Sequence, residues 1–421
     1  MIKAQLLKGF QDVHGKDAEL KELICTTIIS ELKLFGYSPL ETPILEHAEV
    51  LMGNIGEDEK LIYNFKDHGN RHLAMKYDHT VSLARFVANN HMEIGLPYKR
   101  YQLGPSFRAD KPQKGRFRQF TQLDFDILGT NEISSEIETL NLITRIYRKL
   151  GFKDIEININ DRKLVDSIID KCEINDANKK DVFICLDKTD KIGLKAACEL
   201  MVERGINKET ADKLYSIFNI DGSNLEILEH LKGFDTNNLD EIIKTAINLG
   251  FEKNLKINLG VVRGLDYYTG LVFEIIDKKI AIGSFGSGGR YENLCERFTH
   301  EKISGIGYSF GIERVMIAYK ELLQDSEKLN TKVLIIPLEN EALNEAIILN
   351  NNLANEGIIS EVSLKSTKLS KQIKYADKKA CSHLILIGED ELKNKNFTLK
   401  ELKSGEQYSM NLSELKSHLT Q

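Results

Sequence analysis

The segment RFRQFTQLDFDIL, residues 116–128, has the alternation expected of a β-strand with two unlike faces. One face carries four core-forming side chains, Phe117, Leu123, Phe125 and Ile127. The other carries two arginines, an aromatic ring, an amide and two carboxylates, namely Arg116, Arg118, Phe120, Gln122, Asp124 and Asp126. Guanidinium groups bind phosphate, an aromatic ring stacks on a flat base, and carboxylates bind a cation. This face therefore predicts a binding floor, with phosphate at one end and a cationic group at the other.

The preceding segment, YKRYQLGPSFR, has the same two-faced pattern and predicts an antiparallel hairpin across a seven-residue loop, residues 109–115. Its polar face carries Arg100, Gln102, Ser106 and Arg108. An ordinary hairpin with one face in water would explain the pattern too. Basic side chains gather around the loop and favour a polyphosphate ligand: Arg108, Lys111, Lys114, Arg116 and Arg118.

The remaining chain predicts the elements that position this hairpin. Helical spacing indicates helices over residues 17–35 and 131–151 and a helical insertion over residues 162–250. The insertion falls within a first domain, residues 1–323. After a polar linker, residues 324–331, a βαβαβ pattern predicts a small α/β domain over residues 332–421.

Composition narrows the class of protein. Six cysteines lie far apart without a Cys-x-x-Cys pair, which indicates free thiols in a reducing cytoplasm and argues against a zinc site. No apolar run is long enough for a membrane span, and the N-terminus lacks the pattern of a secretory signal. The net charge of −6 means that any RNA contact must come from local basic patches.

Three segments in order carry a family resemblance. GYSPLETPI (residues 36–44), FRAD with RFRQFTQLD (107–124), and GIGYSFGIERV (305–315) resemble the three signature motifs of class II aminoacyl-tRNA synthetases. Ser309 departs modestly from the glycine pattern of the third motif. RGLDYYTG (263–270) and GSGGRYENL (286–294) resemble signatures of the histidyl-tRNA synthetases, and KGFQDVHG (8–15) extends this resemblance over essentially the whole chain.

The resemblance implies an α+β catalytic domain built on a mostly antiparallel sheet with a helical insertion, followed by an α/β anticodon-binding domain. It implies a ligase that activates L-histidine with ATP and transfers it to the 3′ end of tRNA(His). Magnesium would accompany the ATP, with no zinc and no organic cofactor. The motif-one match implies a homodimer, and the expected location is the cytoplasm, away from membranes.

Carried over by position, the family's functional residues fall on four sets of side chains. The catalytic arginines would be Arg108 and Arg263. ATP would meet Arg108, Arg116, Phe120 and Arg314, and Asp124 is a candidate magnesium ligand or support. Histidine would meet Asp78, His79, Thr80, Arg108, Gln122, Asp126, Arg263, Tyr267, Tyr268 and Tyr291. Packing of the Gly-rich turn explains Tyr291 about as well, and a solvated side chain is the default for Lys76.

The tRNA would meet two basic regions. Gln113 and Lys114 lie in the motif-two loop, where the family places the acceptor end. Lys371, Lys374 and Lys378 share a face of a helix beginning near residue 370, although a solvated charged helix explains them equally well. Residues 332–421 hold 12 lysines and 12 acidic residues, so this domain has no net basic charge to bind RNA.

Two non-catalytic relatives are alternatives. One is the regulatory subunit of ATP phosphoribosyltransferase, which usually lacks RGLDYYTG and the terminal domain. The other is a sensor of uncharged tRNA, which has no need for the adenylation arginines Arg108, Arg263 and Arg314. The presence of these features favours the ligase.

Overall fold

The computed structural model describes residues 2–52, 56–262, 267–280, 282–322, 332–364 and 368–420. The chain divides into two units, Met1–Gln324 and Asp325–Gln421. Each unit has its own sheets and its own hydrophobic core.

The first unit contains both long strands and helices. Its strands are β1 (Ser38–Pro39), β2 (Leu45–His47), β3 (Asn64–Lys66), β4 (His72–Met75), β5 (Tyr98–Phe107), β6 (Gln119–Leu128), β7 (Ile155–Asp161), β8 (Leu255–Ile257), β9 (Leu271–Asp277), β10 (Gly286–Tyr291) and β11 (Gly305–Gly311). Its helices are α1 (Lys16–Leu34), α2 (Ala48–Leu51), α3 (Thr80–Ile94), α4 (Ser134–Lys149), α5 (Arg162–Lys171), α6 (Asp176–Leu186), α7 (Thr189–Ile192), α8 (Leu194–Glu203), α9 (Lys208–Phe218), α10 (Asn224–His230), α11 (Leu239–Leu249) and α12 (Ile312–Leu322).

An eight-stranded sheet in the order β1-β5-β6-β11-β10-β9-β7-β8 forms the centre of this unit. Only the outer pairs, β1 with β5 and β7 with β8, are parallel. The five inner pairings are antiparallel, and the hairpin β5–β6 aligns Arg100 with Asp126 and Gln102 with Asp124. A separate three-stranded sheet has the order β2-β4-β3. The predicted fold class, a mostly antiparallel α+β domain, is confirmed.

The two faces of β6 follow the predicted alternation. Leu123, Phe125 and Ile127 are at most 2% exposed and join the core that also holds Ile24 and Ile28 of α1. The polar face is also buried, since Arg100, Gln102, Asp124 and Asp126 are at most 3% exposed. The hairpin does not turn this face to water, which excludes the ordinary amphipathic explanation.

The hairpin loop is longer than the sequence predicted. The ladder ends at the pair Phe107–Gln119, so Arg116 and Arg118 lie in an eleven-residue connection, residues 108–118, instead of on the strand. The Arg108 amide still donates to the Arg118 carbonyl at 2.9 Å, but the Arg118 amide donates to the Gly9 carbonyl at 2.8 Å. The N-terminal segment thus takes the hydrogen bond of Arg118, and an isolated bridge between Gln113 and Arg116 closes the loop.

Helices α5–α11 occupy the stretch predicted as an insertion. Apolar side chains from α5, α8, α9 and α11 belong to the same core as the main sheet. Several of these helices begin at side-chain caps, for example Ser223, whose hydroxyl and Glu226 form a capping box.

The second unit is a five-stranded sheet in the order β13-β12-β14-β15-β16 with helices on both faces. Its strands are β12 (Lys332–Pro337), β13 (Ile359–Val362), β14 (His383–Ile387), β15 (Phe397–Glu401) and β16 (Gln407–Met410). Its helices are α13 (Leu343–Asn355), α14 (Leu369–Lys378), α15 (Glu389–Asn394) and α16 (Leu412–Leu419). Val333 and Ile335 face one core while Leu334 and Ile336 face another, which explains the continuous apolar run in β12.

Among the residues described, no helix combines the length and apolar character needed to cross a membrane.

Candidate active site

A cavity of about 400 Å³ lies over the polar face of the main sheet. Its walls come from β6, β9, β10, β11, the start of α12 and the 108–118 loop. Ten of the predicted site residues line it: Asp78, Thr80, Arg108, Arg116, Phe120, Gln122, Asp124, Tyr267, Tyr268 and Arg314. Residues separated by more than 200 positions therefore meet in one cavity.

Three guanidinium groups form the cationic side of the cavity. Arg108 lies between two rings, 4.0 Å from the Tyr77 centroid and 5.1 Å from the Phe120 centroid, and its Nε donates to the Tyr77 carbonyl at 3.2 Å. Arg116 Nε is 3.9 Å from Asp110 Oδ2, too far for a strong ion pair at this half-exposed side chain. Burial, and then the charges of Arg116 and Arg108, lower the pKa of Arg314. Mutual repulsion of this kind is relieved by an anionic ligand.

The beginning of α12 is fixed to the hairpin, and this places Arg314. The Thr121 amide donates to both carboxylate oxygens of Glu313, at 2.9 and 3.1 Å. Arg314 Nη1 in turn donates to the Ser284 carbonyl at 2.7 Å. Negative charge at a helix N-terminus is stabilised by the helix dipole, so Glu313 anchors this end of the helix as well.

Carboxyl and amide groups form the opposite side. Asp78 accepts the Val81 amide at 3.1 Å at the start of α3, and the Tyr267 hydroxyl lies 3.4 Å from its other oxygen. Gln122 Nε2 donates to the Ser309 hydroxyl at 2.7 Å. Burial raises the pKa of Asp124 to about 7, against the lowering effects of Arg100 and a Ser309 hydrogen bond. This side can take an ammonium group and a polar ring.

Asp126 and Tyr291 lie behind the carboxyl side and do not line the cavity. The Tyr291 hydroxyl donates to Asp126 Oδ1 at 2.7 Å, and Arg100 Nη2 lies 2.5 Å from Asp126 Oδ2. Tyr268 lines the cavity and is within electrostatic range of Asp126, since burial and then the Asp126 charge raise the pKa of Tyr268.

His79 is also buried and does not line the cavity. Burial lowers the pKa of His79 to about 3, helped by the charges of Lys76 and Arg100, so its ring is neutral. Lys76 is only 2% exposed, which corrects its expected solvation; burial lowers the pKa of Lys76, and Asp124 and Glu41 partly restore it. Neighbouring segments enclose this lysine: its amide donates to the Ile44 carbonyl at 2.9 Å, its carbonyl accepts the Phe107 amide at 3.0 Å, and its Nζ donates to the Thr42 carbonyl at 3.4 Å.

Three sets of predicted residues do not line the cavity or fall outside the described residues. Arg263 falls outside the described part of the chain, so its placement stays a prediction. Lys114 lies in the exposed loop, with Nζ 3.0 Å from Glu321 Oε1, and Gln113 is exposed beside it. The three lysines of α14 in the second unit are exposed: Lys371, Lys374 and Lys378.

Sequence reasoning missed several side chains that shape the site. Tyr77 stacks on Arg108, and Ser309 holds Gln122, but neither contact has a signal in local spacing. Arg100 did carry such a signal, because it falls on the polar parity of β5. Among the described residues, no group of three or more His, Cys, Asp or Glu side chains is placed to hold a metal ion.

Comparisons with known proteins identify the family of this chain. A family model described as histidyl-tRNA synthetase matches residues 9–315, and one described as an anticodon binding domain matches residues 332–421. The chain is 35% identical to the histidine–tRNA ligase of Clostridium tetani over 431 residues, 98% of this chain and 97% of that protein. It is 37% identical to the histidine–tRNA ligase of Christiangramia forsetii over 456 residues, 99% of each.

A solved structure gives the same result. The crystal structure of histidyl-tRNA synthetase from Nostoc sp. matches with a TM-score of 0.89 at 28% identity, covering 100% of this chain and 99% of that chain. Full-length matches to ligases, terminal domain included, do not favour a non-catalytic paralogue. The chain therefore belongs to the histidyl-tRNA synthetase family, class II aminoacyl-tRNA synthetases that use ATP to ligate histidine to tRNA.

Proposed function

We propose that the cavity over β6 binds ATP and L-histidine side by side and joins them as histidyl-adenylate, with release of pyrophosphate. The histidyl group then passes to the 3′ end of tRNA(His). The observation that carries this proposal is the division of one cavity into an arginine side and a carboxyl side. Two anions meet when the histidine carboxylate attacks the α-phosphorus, so the transition state requires positive charge fixed in advance.

The arginine side takes the nucleotide in this proposal. Arg108 binds the α-phosphate and the histidine carboxylate, and its position between Tyr77 and Phe120 supports this role by holding the guanidinium plane still. Arg116 binds the β- and γ-phosphates from the loop. Phe120 and Arg314 bind the two faces of the adenine ring.

Magnesium enters with the nucleotide as part of the substrate. Phosphate oxygens are its preferred ligands, and Mg²⁺ commonly keeps its waters and one or two carboxylates. Asp124 lines the cavity and is the carboxyl group proposed for this role. Its burial and raised pKa fit a supporting role under the substrate better than a dedicated metal ligand.

The carboxyl side takes the amino acid. Asp78 binds the ammonium group with Thr80 and Gln122 beside it, and Tyr267 and Tyr268 cover the substrate. Asp126, hydrogen-bonded to Tyr291, lies behind this side and favours the imidazole through its negative charge. Neutral His79 packs beneath the binding residues. A pocket whose buried groups are paired only by the correct side chain discriminates by roughly 10⁴ or more.

The other proposed roles concern Arg263, the tRNA contacts, the domains and the oligomeric state. Arg263 stabilises charge at the α-phosphorus, and Gln113 and Lys114 meet the tRNA acceptor end. The lysines of α14 contact the anticodon region, within a domain of residues 332–421 joined by a linker, residues 324–331, to the catalytic domain, residues 1–323. The protein acts as a cytoplasmic homodimer; a monomeric mass by light scattering at working concentration would contradict the dimer.

Histidine-dependent ATP–pyrophosphate exchange tests the proposal. With each of the twenty amino acids supplied alone, only histidine should support exchange. Exchange with none of them, although the protein binds tRNA(His), would favour a tRNA sensor. In the same assay Arg263→Ala should lower the exchange rate far more than it weakens histidine binding, because its charge acts on the transition state.

A further inference from the structure

Arg100 is a fully buried arginine whose charge has no obvious structural use. Its side chain has 0% exposure, and it projects from β5 toward the polar face of the hairpin. Within the described part of the chain, none of its three nitrogens has a hydrogen bond of good geometry. A buried arginine that stabilised only the fold would be replaced at little cost by an apolar side chain of similar volume.

Its compensation comes from the carboxyl groups of β6. Arg100 Nη2 lies 2.5 Å from Asp126 Oδ2, and the two residues are directly opposite in the β5–β6 register. The same guanidinium also lowers the pKa values of both Asp126 and Asp124 against the effect of burial. Arg100 therefore favours the charged, hydrogen-bond-accepting form of Asp126.

Two further contacts fix the position of the Asp126 carboxyl group. Tyr291 donates to Oδ1 from β10. On β11, Gly307 faces Asp126, and a Cβ at this glycine would lie 2.0 Å from Oδ1. The carboxylate thus rests against bare backbone, with Arg100 on one oxygen and Tyr291 on the other. A carboxylate has about four acceptor positions, so the contacts with Arg100 and Tyr291 do not use all of them.

We propose that Arg100 is a positioning residue for histidine selection: it holds Asp126 as a fixed carboxylate directly behind the histidine side of the cavity, where its negative charge favours a ring N–H of the substrate. This inference rests on the proposed role of Asp126 in binding the imidazole. Arg100 touches no substrate and acts only through Asp126. Removal of Arg100 leaves the buried Asp126 carboxyl group without its counter-charge, so it takes up a proton or moves, and the fixed negative charge is lost.

The test is a double-mutant cycle on Arg100→Met and Asp126→Asn, read as KM for histidine and KM for ATP in pyrophosphate exchange. Arg100→Met should raise the histidine KM roughly tenfold to a hundredfold, the effect of leaving one buried polar group unpaired. The ATP KM should stay within about twofold. The double variant should show the same histidine KM as Asp126→Asn alone, because Arg100 has nothing to position once the carboxylate is gone.

Arg290 provides a matched control. It is also buried, with its Nη2 2.6 Å from Glu136 Oε1, but strand alternation places it on the face of β10 opposite Tyr291. Arg290→Met should lower thermal stability without a selective change in the histidine KM. If Arg100→Met itself does not fold, the double variant, which buries no lone charge, and Arg100→Lys with an intermediate histidine KM carry the test.

The outcomes separate the two ideas. A normal histidine KM in Asp126→Asn would remove the proposed role of Asp126. A raised KM in Asp126→Asn with a normal one in Arg100→Met would overturn the positioning role alone. Equal changes in both KM values for Arg100→Met, or multiplicative effects in the double variant, would also overturn it.

Discussion

Replacement of Arg108 tests the arginine side of the cavity most directly. Its guanidinium has two aromatic neighbours, Tyr77 at 4.0 Å and Phe120 at 5.1 Å. Lysine keeps the charge but loses the planar fork and both stacking contacts. At about 0.5–1 kcal/mol for each contact, the loss is about 1–2 kcal/mol, which corresponds to a roughly 5- to 30-fold lower kcat/KM.

Alanine removes the charge as well and should cost more. Loss of one donor fixed toward developing negative charge typically lowers kcat by about 10²–10³. Histidine-dependent pyrophosphate exchange measures both variants, with Lys111→Ala as the control, since Lys111 is an exposed cation of the same loop that does not line the cavity. A kcat/KM for Arg108→Lys within twofold of the wild type, or a loss for Lys111→Ala as large as that for Arg108→Ala, would contradict the proposed role of Arg108.

Three further predictions concern the loop, the floor and the second unit. Gly9 has φ +88°, and a Cβ there would lie 2.8 Å from Pro112 Cγ, so Gly9→Ala should displace the loop and raise the ATP KM about five- to tenfold; Gly15→Ala, also at positive φ but with open space, should not. The folded-state pKa of Asp124, about 7, lies above its ordinary 3.8, so this group makes unfolding easier as pH rises from about 4 to 7. Asp124→Asn should remove this pH-dependent loss of stability, which amounts to up to about 4 kcal/mol. The plot of unfolding free energy against pH should be flatter for the variant than for the wild type, and parallel plots would contradict the prediction. Alanine at Lys371, Lys374 and Lys378 of α14 should reduce the slope of log K for tRNA binding against log salt concentration by about two to three, while pyrophosphate exchange is unchanged. An unchanged slope would mean that these lysines form only a solvated face.

The predicted chemistry of the hairpin came from local information. Alternation of side chains has a period of two residues along any strand, so the sequence alone could assign Phe125 to the core and Gln122 to the binding face. The motif spacing likewise led to the correct family and fold class. Strand alternation and the order of the motifs are both written along the chain, so neither depends on what packs against these residues.

Burial and pairing between distant residues were decided only by the tertiary structure. Local patterns could not show that Lys76 is buried, because its exposure depends on strands far away in the chain. They could not show that Gly9 takes the hydrogen bond of Arg118, so that β6 begins only at Gln119. The enclosure of Asp126 by Arg100 and Tyr291 joins three strands. The cost of removing these charges from water is offset only when all three strands pack together, which no single strand can do.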